Sequence, residues 1–371
     1  MLAGGMDELY RRALAGSPTS YARVEVWRQG ARLAESVEFS QGTVTATLQS
    51  RVARNLSLTV PEAAVPVLND PDGLLTPFGN ELRCFKGIEL AGSDLRFVWP
   101  CFRGKIISVG DSDDGNVEIY AADRADEVVR AGFEVPTSSV VGTRVATQVQ
   151  QIITDAVPDA TLRVEGSFPV PMPELSWEYD RGRALDEMTE AVGALWYPDA
   201  AGEFIMRPVP WTTPPTGELI PLVEGVGGIV QKATGEISND GVYNSVTAVG
   251  ERTDGSKPVY ANAKNTGGGP VAYDGALGPR FKLLRLQTPA TVGAARGAAA
   301  AYLKRVSALG EQWSWAQVPD AAMELGDAIL LSPRRRVGSV VQIVAGFSLP
   351  LHASASMSVT GRQLVVGVLD D

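Results

Sequence analysis

Short runs in which apolar and polar residues alternate recur through the chain, and this period of two constrains its fold more than any other feature. Val44, Ala46 and Leu48 alternate with threonines, and residues 56–60 alternate in the same way. Such alternation is typical of antiparallel strands that are buried on one face. Tight-turn dipeptides such as Asp114-Gly115 separate the runs. This part of the chain is therefore predicted to form one small β-barrel or sandwich.

The middle of the chain has a helical period instead. Apolar residues between Val145 and Ala156 fall on one helical face, and Pro158 follows where that helix should end. A second helix is predicted after Asp180, a suitable N-cap. Residues 196–204 then have the pattern of a strand, a tight turn and a strand. A small α/β domain is predicted here.

The last third returns to strand patterns and contains one long helix, predicted from about residue 290 to residue 309. Gly326-Asp327 follows this helix and precedes apolar strand residues, so it marks where the chain returns to close a second barrel. Gly293 and Gly297 would allow the helix to approach a sheet or a neighbouring chain closely. The side chains expected to be buried are Val292, Ala295, Ala299, Leu303 and Val306.

The predicted fold is mainly β with an α/β insertion: two small antiparallel β-barrels plus helical elements. The expected units are an N-terminal helix or arm (1–19), a first β-barrel (20–122), a small α/β domain (123–215) and a second β-barrel with the long helix (216–371). A length of 371 residues with 44% hydrophobic content is sufficient for several cores.

Composition excludes some functional classes. The chain has no run of about 18 uncharged apolar residues, and its N-terminus lacks a basic segment followed by an apolar one. We therefore expect neither a membrane-spanning nor a signal-exported protein. The formal net charge of −10 disfavours broad attraction to DNA or to anionic lipid.

The residue types that metal and nucleophile chemistry need are scarce. One histidine, His352, and two cysteines, Cys84 and Cys101, cannot form a tetrahedral His/Cys zinc site without carboxylates, and no HExxH or CxxC spacing occurs. No G-x-S-x-G sequence accompanies the histidine. We expect no catalytic residues, no metal and no cofactor. A pair of carboxylates that meet only in space, as in a glycosidase, remains an alternative.

The cysteines belong to a predicted hairpin with Gly92-Ser93 at its turn. In the simplest register Cys84 faces Cys101, at a spacing that permits a disulfide. Two buried free thiols are the favoured interpretation, because a chain without an export signal folds in a reducing compartment. Pro100 conflicts with this register, since it cannot donate opposite Phe85, and a bulge there would shift the pairing. The other expected pairs are Leu90 with Leu95, Ile88 with Phe97 and Lys86 with Trp99.

Three consecutive arginines, Arg334, Arg335 and Arg336, occupy a predicted turn between two closing strands. A solvated hairpin tip is the default interpretation of such a charge run. Contact with a partner protein is the alternative.

Several short segments together resemble the baseplate hub proteins of bacteriophage tails and related contractile injection systems. Each is mostly strand and turn chemistry, and their order along the chain carries the resemblance. They are residues 54–60 (RNLSLTV), 102–106 (FRGKI), 121–123 (AAD), 195–204 (LWYPDAAGEF), 243–246 (YNSV) and 325–327 (LGD).

The resemblance implies a structural role at the tail tip of a virion, assembled in the host cytoplasm. In that family two similar β-barrels flanking helical elements form a trimeric ring. The ring joins the tail tube to a central spike or fibre and leaves a lumen for DNA. The expected partners are two further copies of the chain, a tail-tube or distal tail protein, and a spike or fibre protein. The family has no catalytic residues that could be assigned to positions of this chain.

The acidic charge fits passage of DNA without specific binding. Three copies would carry 3 × −10 = −30 formal charges, so an acidic wall would repel the passing genome. Asp111, Asp113 and Asp114, at one hairpin tip, are candidates to face the lumen. An ordinary solvated turn is the alternative for these aspartates.

Two other classes of function remain open. A tail-tip glycan- or receptor-binding module would also be rich in strands and would need tryptophans clustered in an exposed groove. A cell-wall glycoside hydrolase would need two carboxyls in a cleft, one with a raised pKa. The candidate stacking residues are Trp27, Trp99, Trp177, Trp211, Trp313 and Trp315.

Overall fold

The structure is a computed structural model that describes residues 4–16, 18–61, 71–90, 95–111, 115–172, 174–213, 215, 217–250, 257–286, 291–307, 310–352 and 355–364. The helices among them are α1 (Gly4–Ala15), α2 (Arg124–Ala131), α3 (Val145–Ala156), α4 (Arg181–Ala191) and α5 (Val292–Val306). The strands are β1 (Thr19–Arg28), β2 (Ala31–Ala34), β3 (Gln41–Thr47), β4 (Arg54–Pro61), β5 (Asn80–Glu89), β6 (Arg96–Asp111), β7 (Asn116–Asp123), β8 (Thr137–Ser138), β9 (Leu162–Val164), β10 (Ser176–Trp177), β11 (Ala194–Pro198), β12 (Phe204–Pro208), β13 (Ile220–Val223), β14 (Val230–Ser238), β15 (Ser245–Gly250), β16 (Val259–Lys264), β17 (Phe281–Leu286), β18 (Gly310–Gln317), β19 (Ala328–Ser332), β20 (Val340–Pro350) and β21 (Met357–Gln363).

Most strands belong to one sheet of 13, in the order β14-β18-β21-β20-β3-β4-β7-β6-β5-β1-β2, with β13 and β19 branching from β20. β20 holds the two ends of the chain together. One of its edges pairs with β21, and the other is shared between β19 at its start and β3 at its end. With 11 residues, β20 is long enough to extend past β19 and pair Phe347 with Ala46.

The mainly β class is confirmed, but two separate small barrels are not. In the described part of the chain, strands of both predicted barrels join one sheet whose main path ends at two open edges, β14 and β2, and whose branch ends at β13. Its buried residues form one core that runs from Val24 to Val359. The sheet is continuous because β3 and β20 pair across the predicted boundary, a contact that no local pattern specifies.

The segment between β7 and β13 contains a core of its own. A small sheet in the order β11-β12-β9 packs with α2, α3 and α4. The predicted face of α3 is buried at Val145, Val149 and Ile152. Asp180 caps α4 as predicted, since its carboxylate accepts a hydrogen bond of 2.8 Å from the Arg183 N–H.

Another three-stranded sheet, β16-β15-β17, forms apart from the large one, and β8 and β10 form a two-stranded pair. α5 packs on one face of it, around Val246, Ala248 and Leu303. The predicted face of α5 is buried at Ala295, Ala299 and Leu303, whereas Val292 is exposed. The expectation for the helix glycines was wrong within this chain: a Cβ at Gly297 would meet nothing within 4 Å.

α1 packs on the large sheet rather than extending from it as an arm. Tyr10 and Leu14 are buried with Ile88 and Phe97 in a small cluster. Partly buried residues from the other end of the chain, such as Val318, contact the same cluster. Among the described helices, none has the length and apolar character needed to cross a membrane.

A buried junction and candidate assembly surfaces

Arg54 lies at a buried junction between distant parts of the chain. It is the first residue of β4 and only 1% exposed. Its main-chain N–H donates to Asp123 Oδ2 at 2.6 Å, and its guanidinium pairs with the Glu324 carboxylate. The guanidinium also lies over the Phe347 ring, 5.7 Å from the centroid. Arg54 therefore connects β4 to the end of β7 through its main chain and to the segment that precedes β19 through its side chain.

Asp123 connects the large sheet to α2. Its carboxylate caps the helix by accepting from the Ala125 N–H at 3.0 Å, while its other oxygen accepts from Arg54. Burial raises the pKa of Asp123 to about 7, against the opposing effect of these two backbone donors. The role of Asp123 is therefore structural.

The turn 325–327, which the sequence singled out, lies beside the same junction. Gly326 has a φ of +85°, and a Cβ there would come within 2.7 Å of Arg207 Nη1. The positive φ requires glycine, whereas the end of the Arg207 side chain can shift away from a Cβ. Asp327 Oδ2 accepts a hydrogen bond of 2.9 Å from the Glu324 N–H, and burial raises the pKa of Asp327 to about 7. Tyr197, from β11, donates to the Leu325 carbonyl at 3.2 Å. The turn thus joins the α/β insertion to the large sheet.

The cysteines are free and buried, as the favoured interpretation held. The hairpin register is confirmed for Ile88 with Phe97 and Lys86 with Trp99. Phe85 also pairs with Pro100 as expected, but a bulge then shifts the register, so that Cys84 pairs with Phe102 rather than with Cys101. The expected facing of the two cysteines is therefore wrong, and the physical reason is that Pro100 has no N–H for the ladder. Burial raises the pKa of both thiols, that of Cys101 to about 12.

Lys86 is a buried cation that the sequence placed correctly but whose role was missed. It is 2% exposed, and its ammonium donates to Ser20 Oγ at 2.5 Å and to the Leu351 carbonyl at 2.8 Å. Burial lowers the pKa of Lys86 to about 8. Its position on the inward face of a period-two strand was the available signal.

The predicted arginine turn forms an exposed basic tip, which we define as residues 333–339 between β19 and β20. Arg336 pairs with Glu311, whereas no ion pair of the Arg334 or Arg335 guanidinium occurs within the described residues. The tip is tied to the neighbouring turn, because the Arg334 N–H donates to Glu224 Oε2 at 2.7 Å. Each of the two turns has one fully exposed valine, Val337 directly after Arg336 and Val226 two residues after Glu224.

Of the three candidate lumen aspartates, Asp111 is exposed at the end of β6. Asp113 and Asp114 lie outside the described residues. Glu118, on β7 of the same hairpin, is also exposed and accepts a hydrogen bond from Thr59. The described part of this tip therefore presents carboxylates to solvent.

The tryptophans are positioned as core residues. Trp177, Trp211, Trp313 and Trp315 are buried. Trp27 is partly exposed, with the Arg83 guanidinium 3.8 Å from its ring centroid. Trp99 packs on the rings of Tyr10 and Phe97. Nothing in the described residues brings these tryptophans together in an exposed groove.

Carboxylates are not arranged in an apolar cleft in the described residues. Asp123 and Asp327 accept hydrogen bonds from the backbone at the junction. A shallow depression beside α2 and α3 is lined by Glu134 and Asp155, and both are exposed to solvent. His352 is half-buried after β20. No group of three or more His, Cys, Asp or Glu side chains that could hold a metal ion occurs among the described residues.

The fold matches solved structures of phage-type tail proteins along almost its whole length. A tail protein from Neisseria meningitidis MC58 matches with a TM-score of 0.64 and 12% identity, over 94% of this chain and 97% of that one. A 43 kDa tail protein of prophage MuSo2 from Shewanella oneidensis matches with a TM-score of 0.60 and 12% identity, over 92% and 98%. The chain has the fold of these tail proteins. The predicted resemblance is thereby confirmed at the level of fold.

A protein of a secretion machine shares this tail-protein fold. The Escherichia coli c3393 protein, described as a component of the type VI secretion system with structural similarity to the T4 tail proteins gp27 and gp5, matches with a TM-score of 0.50. The identity is 10%, over 91% of this chain and 76% of that one. No protein-family model matches the chain, and no curated protein matches it in sequence.

Proposed function

We propose that the chain is the structural hub of a phage tail tip or baseplate. Three copies would form a ring that joins the tail tube to a central spike or fibre and leaves a lumen for DNA. The observation that carries the proposal is the match to a tail protein over 94% of one chain and 97% of the other. A match of that extent involves every layer of the fold rather than one shared module.

The mechanism would be geometric. The segments 20–122 and 216–371 would act as paired halves, so that three chains present six similar surfaces to a sixfold tube. The segment 123–215 would be an insertion that packs beside them, and residues 1–19 the helical clasp between them. The junction at Arg54 would hold this arrangement fixed, because it joins β4, β7 and the approach to β19.

Two surfaces receive roles in this proposal. Asp111, with Asp113 and Asp114, would face the lumen, where negative charge repels the phosphate backbone of the passing genome. A map of the ring with a neutral or basic inner wall would contradict this assignment. Arg334, Arg335 and Arg336 would contact a neighbouring tail protein, because two of these guanidiniums have no ion pair among the described residues and the exposed Val337 follows them, a combination that suits an acidic protein surface.

The test is the absolute mass of the purified chain by light scattering, alone and mixed with the tail-tube protein of the same genome. The chain has a mass of 39.3 kDa, so a trimer should weigh about 118 kDa, three times that value. A trimer that binds tube protein supports the hub. A monomer that does not bind tube protein would overturn the hub proposal and favour a receptor-binding module.

A further inference from the structure

The small sheet β16-β15-β17 is covered on one side only in the described part of the chain. α5 packs on the face that contains Val246 and Ala248. Because side chains alternate along a strand, Thr247, which lies between these two, points to the other side. That second face, which we call the open face, has no described element packed across it.

The open face is rich in large apolar and aromatic side chains. The registers place Val249 beside Tyr260 and Thr247 beside Leu283. Phe281 lies two residues before Leu283 on β17 and therefore points to the same side. Tyr260 is 70% exposed, Phe281 58% and Leu283 41%. Isolated exposed apolar residues are ordinary, but a contiguous set on one sheet face marks an interaction site.

The unit that contains the open face is basic, although the chain is acidic. Residues 242–307 contain nine basic and three acidic residues, a formal charge of +6. The rest of the chain therefore has −16, since the total is −10. β15, β16 and β17 contain no acidic residue. Lys264 extends from the open face, with its ammonium 3.9 Å from the Tyr273 ring centroid.

We propose that the open face is the contact through which one copy of the chain binds the next copy in the ring. The surface that it binds lies outside residues 242–307 of that copy, where the formal charge is −16. The inference rests on the proposed function, because it names a surface for the ring contact. The two charges, +6 and −16, are complementary between copies and would steer a head-to-tail contact. Such a contact is heterologous, as ring closure requires.

A protein partner fits this face better than a nucleic acid. Tyrosine and phenylalanine are enriched at the centre of protein interfaces, and Tyr260 and Phe281 lie here on the two strands that flank β15. Binding of DNA depends mainly on neutralised phosphates, and the field of the whole chain, with its net charge of −10, opposes that attraction.

The test is a double variant, Tyr260→Glu with Phe281→Glu, compared with a matched control, Tyr179→Glu with Phe78→Glu. The control residues are both 71% exposed but lie outside the basic unit. Mass is measured by light scattering at low and high salt, and folding is checked by circular dichroism. We expect trimers for the wild type and the control, and loss of about two-thirds of the mass for the test variant. A milder variant, Lys264→Glu, should dissociate at lower salt than the wild type.

The outcomes separate this proposal from the hub proposal. A test variant that remains trimeric overturns the open face as the contact and leaves the hub standing. A wild type that is monomeric at every concentration and salt overturns both. If the mass is unchanged and binding of a labelled DNA duplex is lost in the test variant, the open face is a nucleic-acid site and the proposal is wrong.

Discussion

The Tyr10 hydroxyl donates a hydrogen bond of 2.6 Å to Asp320 Oδ1, and so joins α1 to the segment just before β19. The two residues are 310 positions apart in the chain. The Tyr10 ring lies 4.4 Å from the Trp99 ring centroid and 5.6 Å from that of Phe97, both on β6. α1 therefore acts as a clasp between the beginning and the end of the large sheet.

Tyr10→Phe should lower the free energy of unfolding by about 1–2 kcal/mol, because it removes a charge-assisted hydrogen bond and keeps the ring contacts. Relative to the wild type, amide hydrogen exchange should accelerate more in α1 than in the rest of the chain. Tyr179→Phe is the control, since Tyr179 is 71% exposed and should give no change. Equal stability of the two variants in urea would show that the clasp does not depend on the Asp320 contact.

Arg54→Met should lower the free energy of unfolding by about 3 kcal/mol. This is more than the expected effect of Arg163→Met, although Arg163 has three carboxylate partners within 4 Å. The Arg163 side chain is 44% exposed, so its ion pairs are screened by water and should contribute less than about 1 kcal/mol. Arg54 is 1% exposed, and its loss leaves Glu324 without its buried partner. Urea unfolding of both variants measures the difference, and a larger cost for Arg163→Met would contradict the importance of the junction.

Asp327→Asn should change how stability depends on pH. The pKa of Asp327 is about 7 in the folded chain, above the ordinary 3.8, so the unfolded state binds fewer protons between these values. Wild-type stability therefore falls as pH rises through that window. Asparagine can still accept from the Glu324 N–H and has no such dependence. In thermal melts, the melting temperature of the variant should rise relative to that of the wild type from pH 5 to pH 8. The melting temperature of the exposed control Asp240→Asn should differ from that of the wild type by a constant amount over this range.

Lys86→Met should show the opposite trend at alkaline pH. The folded pKa of Lys86 is about 8, below the ordinary 10.5, so the unfolded state binds more protons in this window and wild-type stability rises with pH. The variant lacks this rise, so its stability relative to the wild type should fall from pH 8 to pH 10. Lys257→Met, at an exposed position, is the control. A constant difference across this range would mean that Lys86 is not titrating in the core.

Arg334→Glu with Arg335→Glu should weaken binding to a neighbouring tail protein by more than about tenfold without changing the melting temperature. Both side chains are exposed, so the fold does not depend on them. Arg144→Glu with Lys232→Glu, at two other exposed basic positions, is the control for the same change in charge. Binding of tube and spike proteins is measured separately, and unchanged affinity for both would leave the basic tip as a solvated turn.

Local patterns predicted the elements of this fold well and their pairing less well. The alternation of Val44 and Ala46 gave β3, and the spacing of Val145 and Val149 gave the buried face of α3. The pairing of β3 with β20 was missed, because it joins residues some 300 positions apart and no local period encodes it. The cysteine register failed at one residue, Pro100, although the missing N–H was visible in the sequence.

The candidate surfaces divide in the same way. The basic tip could be predicted, because a run of arginines in a turn is exposed wherever the turn lies. The buried junction could not, because Arg54 and Glu324 are ordinary surface residues by type and meet only after folding. The open face required knowledge of which side of β15 the helix α5 covers.

The pairing of β20 with β3 has a mechanical consequence. Five consecutive residue pairs, from Gly346 with Thr47 to Pro350 with Thr43, join the two ends of the chain through the main chain itself. A load applied to one half of the large sheet is therefore carried into the other through backbone hydrogen bonds rather than through a flexible linker. The two halves should therefore respond to tension as a single stiff body, and the first point of yield under force should lie outside the β3–β20 pairing.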